Sequence, residues 1–175
     1  MFQGLMYYAQ HQQMLADATI PGSAARDFYS GNFFGWLEVD IWGEMQTCFP
    51  DDDELSGYLD QMMGYYKTED WEAYKAELMI TTTRFNNLVN DKCGENDAIM
   101  EVVQEAADVS TEFFAQENWE DIIKKNIEDN QEAWDGFGLQ AEKAWEDGKY
   151  YESGNLSGLL SEIMYRMPED TIFLA

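Results

Sequence analysis

Apolar residues recur along this chain with the period of an α-helix almost throughout. After Asp51-Asp52-Asp53-Glu54, the residues Leu55, Tyr58, Leu59, Met62, Met63 and Tyr66 fall at i, i+3, i+4, i+7, i+8 and i+11, one face of a helix. Trp71, Tyr74, Leu78, Thr82, Phe85, Leu88 and Val89 mark the next helix, which stops at Cys93-Gly94. Asn96 or Asp97 starts another, carrying Ile99, Val102, Val103, Ala106, Ser110, Phe113 and Phe114. From Trp119 to Trp145 one period runs unbroken through Ile122, Ile123, Ile127, Trp134, Phe137 and Ala141, so a single long helix is expected, ended by Asp147-Gly148. The last helix runs to about Met167, before Pro168. Near the start, residues 3–17 carry Met6, Tyr7, Met14 and Leu15 on one side, and Thr19-Ile20-Pro21-Gly22-Ser23 breaks that helix. The following helix extends to about Gln46, with Phe33, Trp36, Leu37, Ile41 and Met45 in phase, and Phe49-Pro50 closes it. Six or seven helices with short joints predict an all-α antiparallel bundle. At 175 residues the chain forms one domain, with residues 1–46 as an N-terminal half-unit and 51–167 as the main bundle.

Two of these helices share a spelling. Residues 28–37 read Phe-Tyr-Ser-Gly-Asn-Phe-Phe-Gly-Trp-Leu, and residues 151–160 read Tyr-Glu-Ser-Gly-Asn-Leu-Ser-Gly-Leu-Leu. Gly31 and Gly35 in one copy, and Gly154 and Gly158 in the other, lie at i and i+4, so each pair shares a helix face. A flat face of this kind admits the backbone of a second helix. Each glycine costs a helix roughly 1 kcal/mol relative to alanine, which close packing offsets. The plainer alternative puts Gly31 and Gly154 in turns, with Ser30 or Ser153 as helix caps. If the faces pack, the copies meet within one chain with approximate two-fold symmetry, or the N-terminal half-unit docks on the next subunit and propagates a filament. Asn155-Leu156-Ser157 is also a glycosylation sequon, but its position in a packed helix argues against occupancy.

Charge narrows the partners. Thirty-five Asp and Glu oppose ten Lys and Arg, a formal net charge of −25, with the excess concentrated between residues 51 and 150. Nucleic acid and anionic lipid surfaces are repelled. Divalent cations and basic partners are compatible. Most of these acids are expected to be the solvated faces of helices. A hydrophobic fraction of 45% is enough to fold a core despite the charge. No apolar run reaches the ~18 residues a membrane-spanning helix needs. Met1 to Tyr8 lacks a basic segment and does not read as a signal peptide, so secretion requires a mature or trimmed product.

Cys48 and Cys93 each stand at a predicted helix end, beside Phe49-Pro50 and Gly94. One disulfide tying two helix ends is favoured over two buried thiols, and it implies an oxidising compartment. There is no CxxC and no His-rich partner segment, so a zinc or redox motif is not supported.

The joints carry a further likeness. Asp70-Trp71-Glu72 and Asn118-Trp119-Glu120 connect helices, and Trp145-Glu146-Asp147-Gly148-Lys149-Tyr150-Tyr151 leads into the helix of Gly154 and Gly158. This arrangement resembles secreted all-helical proteins of ciliates and related protists. The resemblance spans residues 51–167 and, more loosely, 24–45. It implies secretion and a helical bundle, and no catalytic residue to carry over.

Few residues of the chain point to chemistry. His11 is the sole histidine and sits in a polar stretch, so no nucleophile–histidine set can be built. Asp51, Asp52, Asp53 and Glu54 are weak calcium candidates, since they lack the alternation and central glycine of an EF-hand. No phosphate loop or dinucleotide fingerprint is present, and no cofactor or dedicated metal site is expected. The sequence therefore predicts a non-enzymatic extracellular helical protein acting in assembly or interaction, as a homo-oligomer or filament subunit. One alternative is a carrier of a small apolar ligand, favoured by ten Met and abundant aromatics. The other is a low-affinity calcium-binding acidic protein.

Overall fold

The computed structural model of the protein describes residues 20–51, 53–67, 71–94 and 96–167. Among these residues the fold is an all-α bundle of eight helices with no strand. They are α1 (Gly22–Leu37), α2 (Trp42–Cys48), α3 (Asp53–Lys67), α4 (Trp71–Cys93), α5 (Asp97–Phe114), α6 (Trp119–Asp129), α7 (Gln131–Glu146) and α8 (Tyr150–Met164). The helix expected over residues 3–17 lies outside the described residues.

Two expected helices are each divided in two, which raises the number. The helix expected to reach Gln46 ends at Leu37. Glu38 adopts the left-handed region (φ 59°) while its N–H still donates to Phe34 O. Asp40 then accepts the Trp42 N–H at 3.1 Å and starts α2, with Ile41 buried between. The long helix from Trp119 breaks at Asn130 (φ −122°, ψ 26°). The Asn130 side-chain amide donates to Asn126 O at 2.8 Å, a local bond that competes with the helix ladder. The start of α5 is settled in favour of Asn96, whose Oδ1 accepts the Ile99 N–H at 3.2 Å. Asn118 precedes α6 without a side-chain capping bond, and Trp119 follows it, buried.

Burial follows the predicted stripes but divides into two cores. The first gathers Phe28, Phe33, Met45, Phe49, Leu55, Phe85, Val89, Ile99 and Val103 from α1 to α5. The second gathers Phe113, Phe114, Trp119, Ile123, Trp134, Leu160, Ile163, Met164 and Tyr165. Trp36 packs against both.

The segment after α2 is fastened to α1 by polar groups. Arg26, almost fully buried, donates from Nη1 to Pro50 O at 2.9 Å and pairs with Asp27 at 2.7 Å. Asp51 accepts the Ser23 N–H at 3.2 Å, placing a carboxylate at the positive end of α1 rather than on its own helix. Cys48 and Cys93 are joined by a disulfide, with Cα atoms 5.2 Å apart.

Neighbouring helices are not all antiparallel. α1 and α8, which make the most extensive helix contact, run in the same direction. Residues 28–31 lie beside 151–154, and residues 32–36 lie beside 155–158.

Candidate functional site

The α1–α8 contact is built on the four glycines. A Cβ on Gly31 would overlap the Tyr151 carbonyl oxygen and come 2.8 Å from the Asn155 nitrogen. A Cβ on Gly154 would overlap the Phe28 carbonyl oxygen and come 3.0 Å from the Asn32 nitrogen. Gly35 faces the Asn155 carbonyl oxygen, and Gly158 faces that of Asn32. Exchanging 28, 31, 32 and 35 with 151, 154, 155 and 158 maps one set of contacts onto the other. The two copies therefore meet within one chain around a local two-fold axis. Where a Cβ would collide, the glycine Cα–H points at a carbonyl oxygen, a weak contact of ~0.5–1 kcal/mol each. Gly31 and Gly154 are inside helices, not in turns. Ser30 is fully buried in α1 and donates back to Arg26 O at 2.9 Å, and Ser153 is buried within α8. The Asn155 Oδ1 lies against Gly35 in this seam.

Beside the seam, where the two cores meet, lies a cavity of about 140 Å³. Phe28, Phe33, Leu59, Phe85 and Val103 line it from the first core, and Leu160, Met164 and Tyr165 from the second. Trp36, Met62, Tyr74 and Leu78 complete its apolar wall. Ala106, Ser110, Thr81, Thr82, Ser157 and Ser161 also face it. These small side chains stand where larger ones would fill the space, so α1 and α8 approach closely on one side and leave a void on the other.

Three tyrosines and Asn32 add polar groups to the wall beside these serines and threonines. Tyr74 is pushed above its ordinary pKa by burial, and a hydrogen bond with Tyr165 partly offsets that shift. Tyr29 packs edge-on against Phe85, with ring centroids 5.5 Å apart. Its hydroxyl oxygen is buried and has no hydrogen-bond partner, although the residue as a whole keeps some exposure. Burial first, then the nearby Tyr74, Tyr58, Asp60 and Glu77, push its pKa far above 10.0, so the phenol stays protonated. Ser157 Oγ is likewise buried without a partner. Among the described residues the lining contains no Lys, Arg or His.

The other candidates do not converge. Asp51 is engaged with the α1 N-terminus, and Glu54 is exposed. Asp52 and the Asp53 side chain lie outside what is described, as does His11. Among the described residues no three His, Cys, Asp or Glu side chains group to hold a metal ion. Among them no helix is long and apolar enough to cross a membrane. Sequence reasoning missed Arg26, although it is the only Lys or Arg in the first 50 residues. It also missed the buried Glu77, which accepts from Arg84 at 3.0 Å.

Comparison with known proteins finds no match to this chain, whether among family models, curated proteins or solved structures.

Proposed function

We propose that the protein is a carrier of a small apolar molecule, held in the cavity between the two cores. The observation that carries this reading is an apolar void of about 140 Å³ lined from both cores. A closed apolar void of roughly 150 Å³ stays dry and takes up benzene. Met62 and Met164 in the wall can adapt to more than one shape. The test is thermal unfolding with and without benzene, in the wild type and in Ala106→Leu, which fills part of the void. A ligand held at ten times its Kd stabilises the wild type by ~1.4 kcal/mol, and the filled variant should lose that response. Equal responses in the two proteins, or none in the wild type, would sink the proposal. We extend it to an extracellular carrier. The Cys48–Cys93 bond favours an oxidising compartment, in keeping with the resemblance to secreted helical proteins.

Assembly or interaction is a second reading, supported by a different surface from the one the sequence suggested. The glycine faces are occupied within the chain, so they are not free to join subunits. Phe34 and Trp42, 38% and 43% exposed, instead form an aromatic patch with Tyr151. Sedimentation velocity tests this reading. Concentration-dependent association that Trp42→Glu abolishes supports it, and a monomer at every concentration opposes it.

A further inference from the structure

We propose that the cavity takes a neutral, one-ring-sized molecule bearing a single hydrogen-bond acceptor, gripped by the Tyr29 hydroxyl, and that it rejects carboxylates of the same shape. This rests on the carrier reading above and adds the chemistry of the cargo.

The size follows from the void, which holds one aromatic ring and a small substituent at about 140 Å³. The polarity follows from the hydroxyl. A buried hydroxyl without a partner is costly, and such groups are rare in folded proteins. The Tyr29 hydroxyl has no hydrogen-bond partner, so its donor is unspent. An acceptor oxygen on a bound molecule completes it. Ser157 Oγ, also without a partner, is a second anchor on the α8 side.

Exclusion of anions follows from what surrounds the cavity. A carboxylate buried there would find no cationic side chain among the described residues of the lining. It would also meet the fields of Asp60 and Glu77, which already act on the Tyr29 phenol, within a chain of net charge −25. A fatty-acid carrier has the opposite requirement, a cation at the acid end of its pocket. This cavity fits a ketone, ester or ether instead.

The experiment is calorimetric titration of the wild type and Tyr29→Phe with acetophenone, cumene and benzoate, which are matched in size and shape. The wild type should bind acetophenone and cumene and give no heat with benzoate. Tyr29→Phe should weaken acetophenone by up to about ten-fold, the effect of one hydrogen bond, and leave cumene unchanged or tighter. Benzoate binding as tightly as acetophenone overturns the proposal in the wild type alone, without any variant. Equal effects of Tyr29→Phe on acetophenone and cumene overturn it too. If neither acetophenone nor cumene binds the wild type, the carrier reading itself fails and this inference with it.

Discussion

Replacing Gly154 by alanine adds one methyl group where the α1 backbone already stands. The new Cβ would overlap the Phe28 carbonyl oxygen and lie 2.8 Å from the carbonyl carbon. Backbone cannot rotate away as a side chain can, so α1 and α8 must separate. Overpacking of this kind costs ~1–3 kcal/mol. Separation also weakens the four Cα–H···O contacts of the seam, each worth ~0.5–1 kcal/mol. Against this, alanine gains ~1 kcal/mol in helix propensity. The net loss is on the order of 3 kcal/mol, a large share of a domain stability of ~5–15 kcal/mol. Gly136 is the control. It lies inside α7 with nothing within 4 Å of an added Cβ, so Gly136→Ala should stabilise by ~0.5–1 kcal/mol. Urea denaturation of both variants, with the disulfide intact, measures the difference. If Gly154→Ala is as stabilising as Gly136→Ala, the close approach of α1 and α8 is wrong. Gly31→Ala should match Gly154→Ala, because the local two-fold axis makes the sites equivalent.

Other consequences are as direct. Arg26→Met strips the Pro50 carbonyl of its buried donor and should cost ~2 kcal/mol, read as a lower urea midpoint; an unchanged midpoint contradicts the fastening role of Arg26. Reducing the Cys48–Cys93 bond frees a loop with a sequence separation of 45 and should cost ~4 kcal/mol in the loop-closure model, measured by denaturation with and without reductant. Tyr29 holds its proton more tightly folded than unfolded, so the stability tied to it is full below pH 10.0 and falls as pH rises above that value. Tyr29→Phe should flatten that alkaline fall in a denaturation series, and an identical slope in both proteins would contradict the buried phenol.

The sequence carries the helical class and the glycine faces because both are local. Leu55, Leu59 and Ile99 declare their faces by spacing alone, and all three are buried. Gly31 and Gly35 declare a flat face, and the second copy at Gly154 and Gly158 points to its mate. The helix breaks were hidden because apolar phase survives them. Trp134 stays in register with Trp119 across Asn130, and only the short polar pair Asp129-Asn130 signals a stop. The direction of α8 relative to α1 was equally hidden, since a repeated motif is compatible with either sense until the backbones are placed. The cavity had no local sign at all. It arises because small side chains from α4, α5 and α8, Thr82, Ala106 and Ser157 among them, converge on one volume, and spacing along one helix does not report what faces it from another. Arg26 had a faint sign, a lone cation in a stretch with no other.

The carrier reading is tested most directly by the methionine methyl groups. Met62 and Met164 line the cavity, whereas Met45 is fully buried in the first core away from it and Met79 is exposed. In a 13C-methyl-methionine NMR titration with acetophenone, Met62 and Met164 should shift progressively and saturate, while Met45 and Met79 hold still. No shift at Met62 and Met164, or an equal unsaturating drift at all four, would contradict the account.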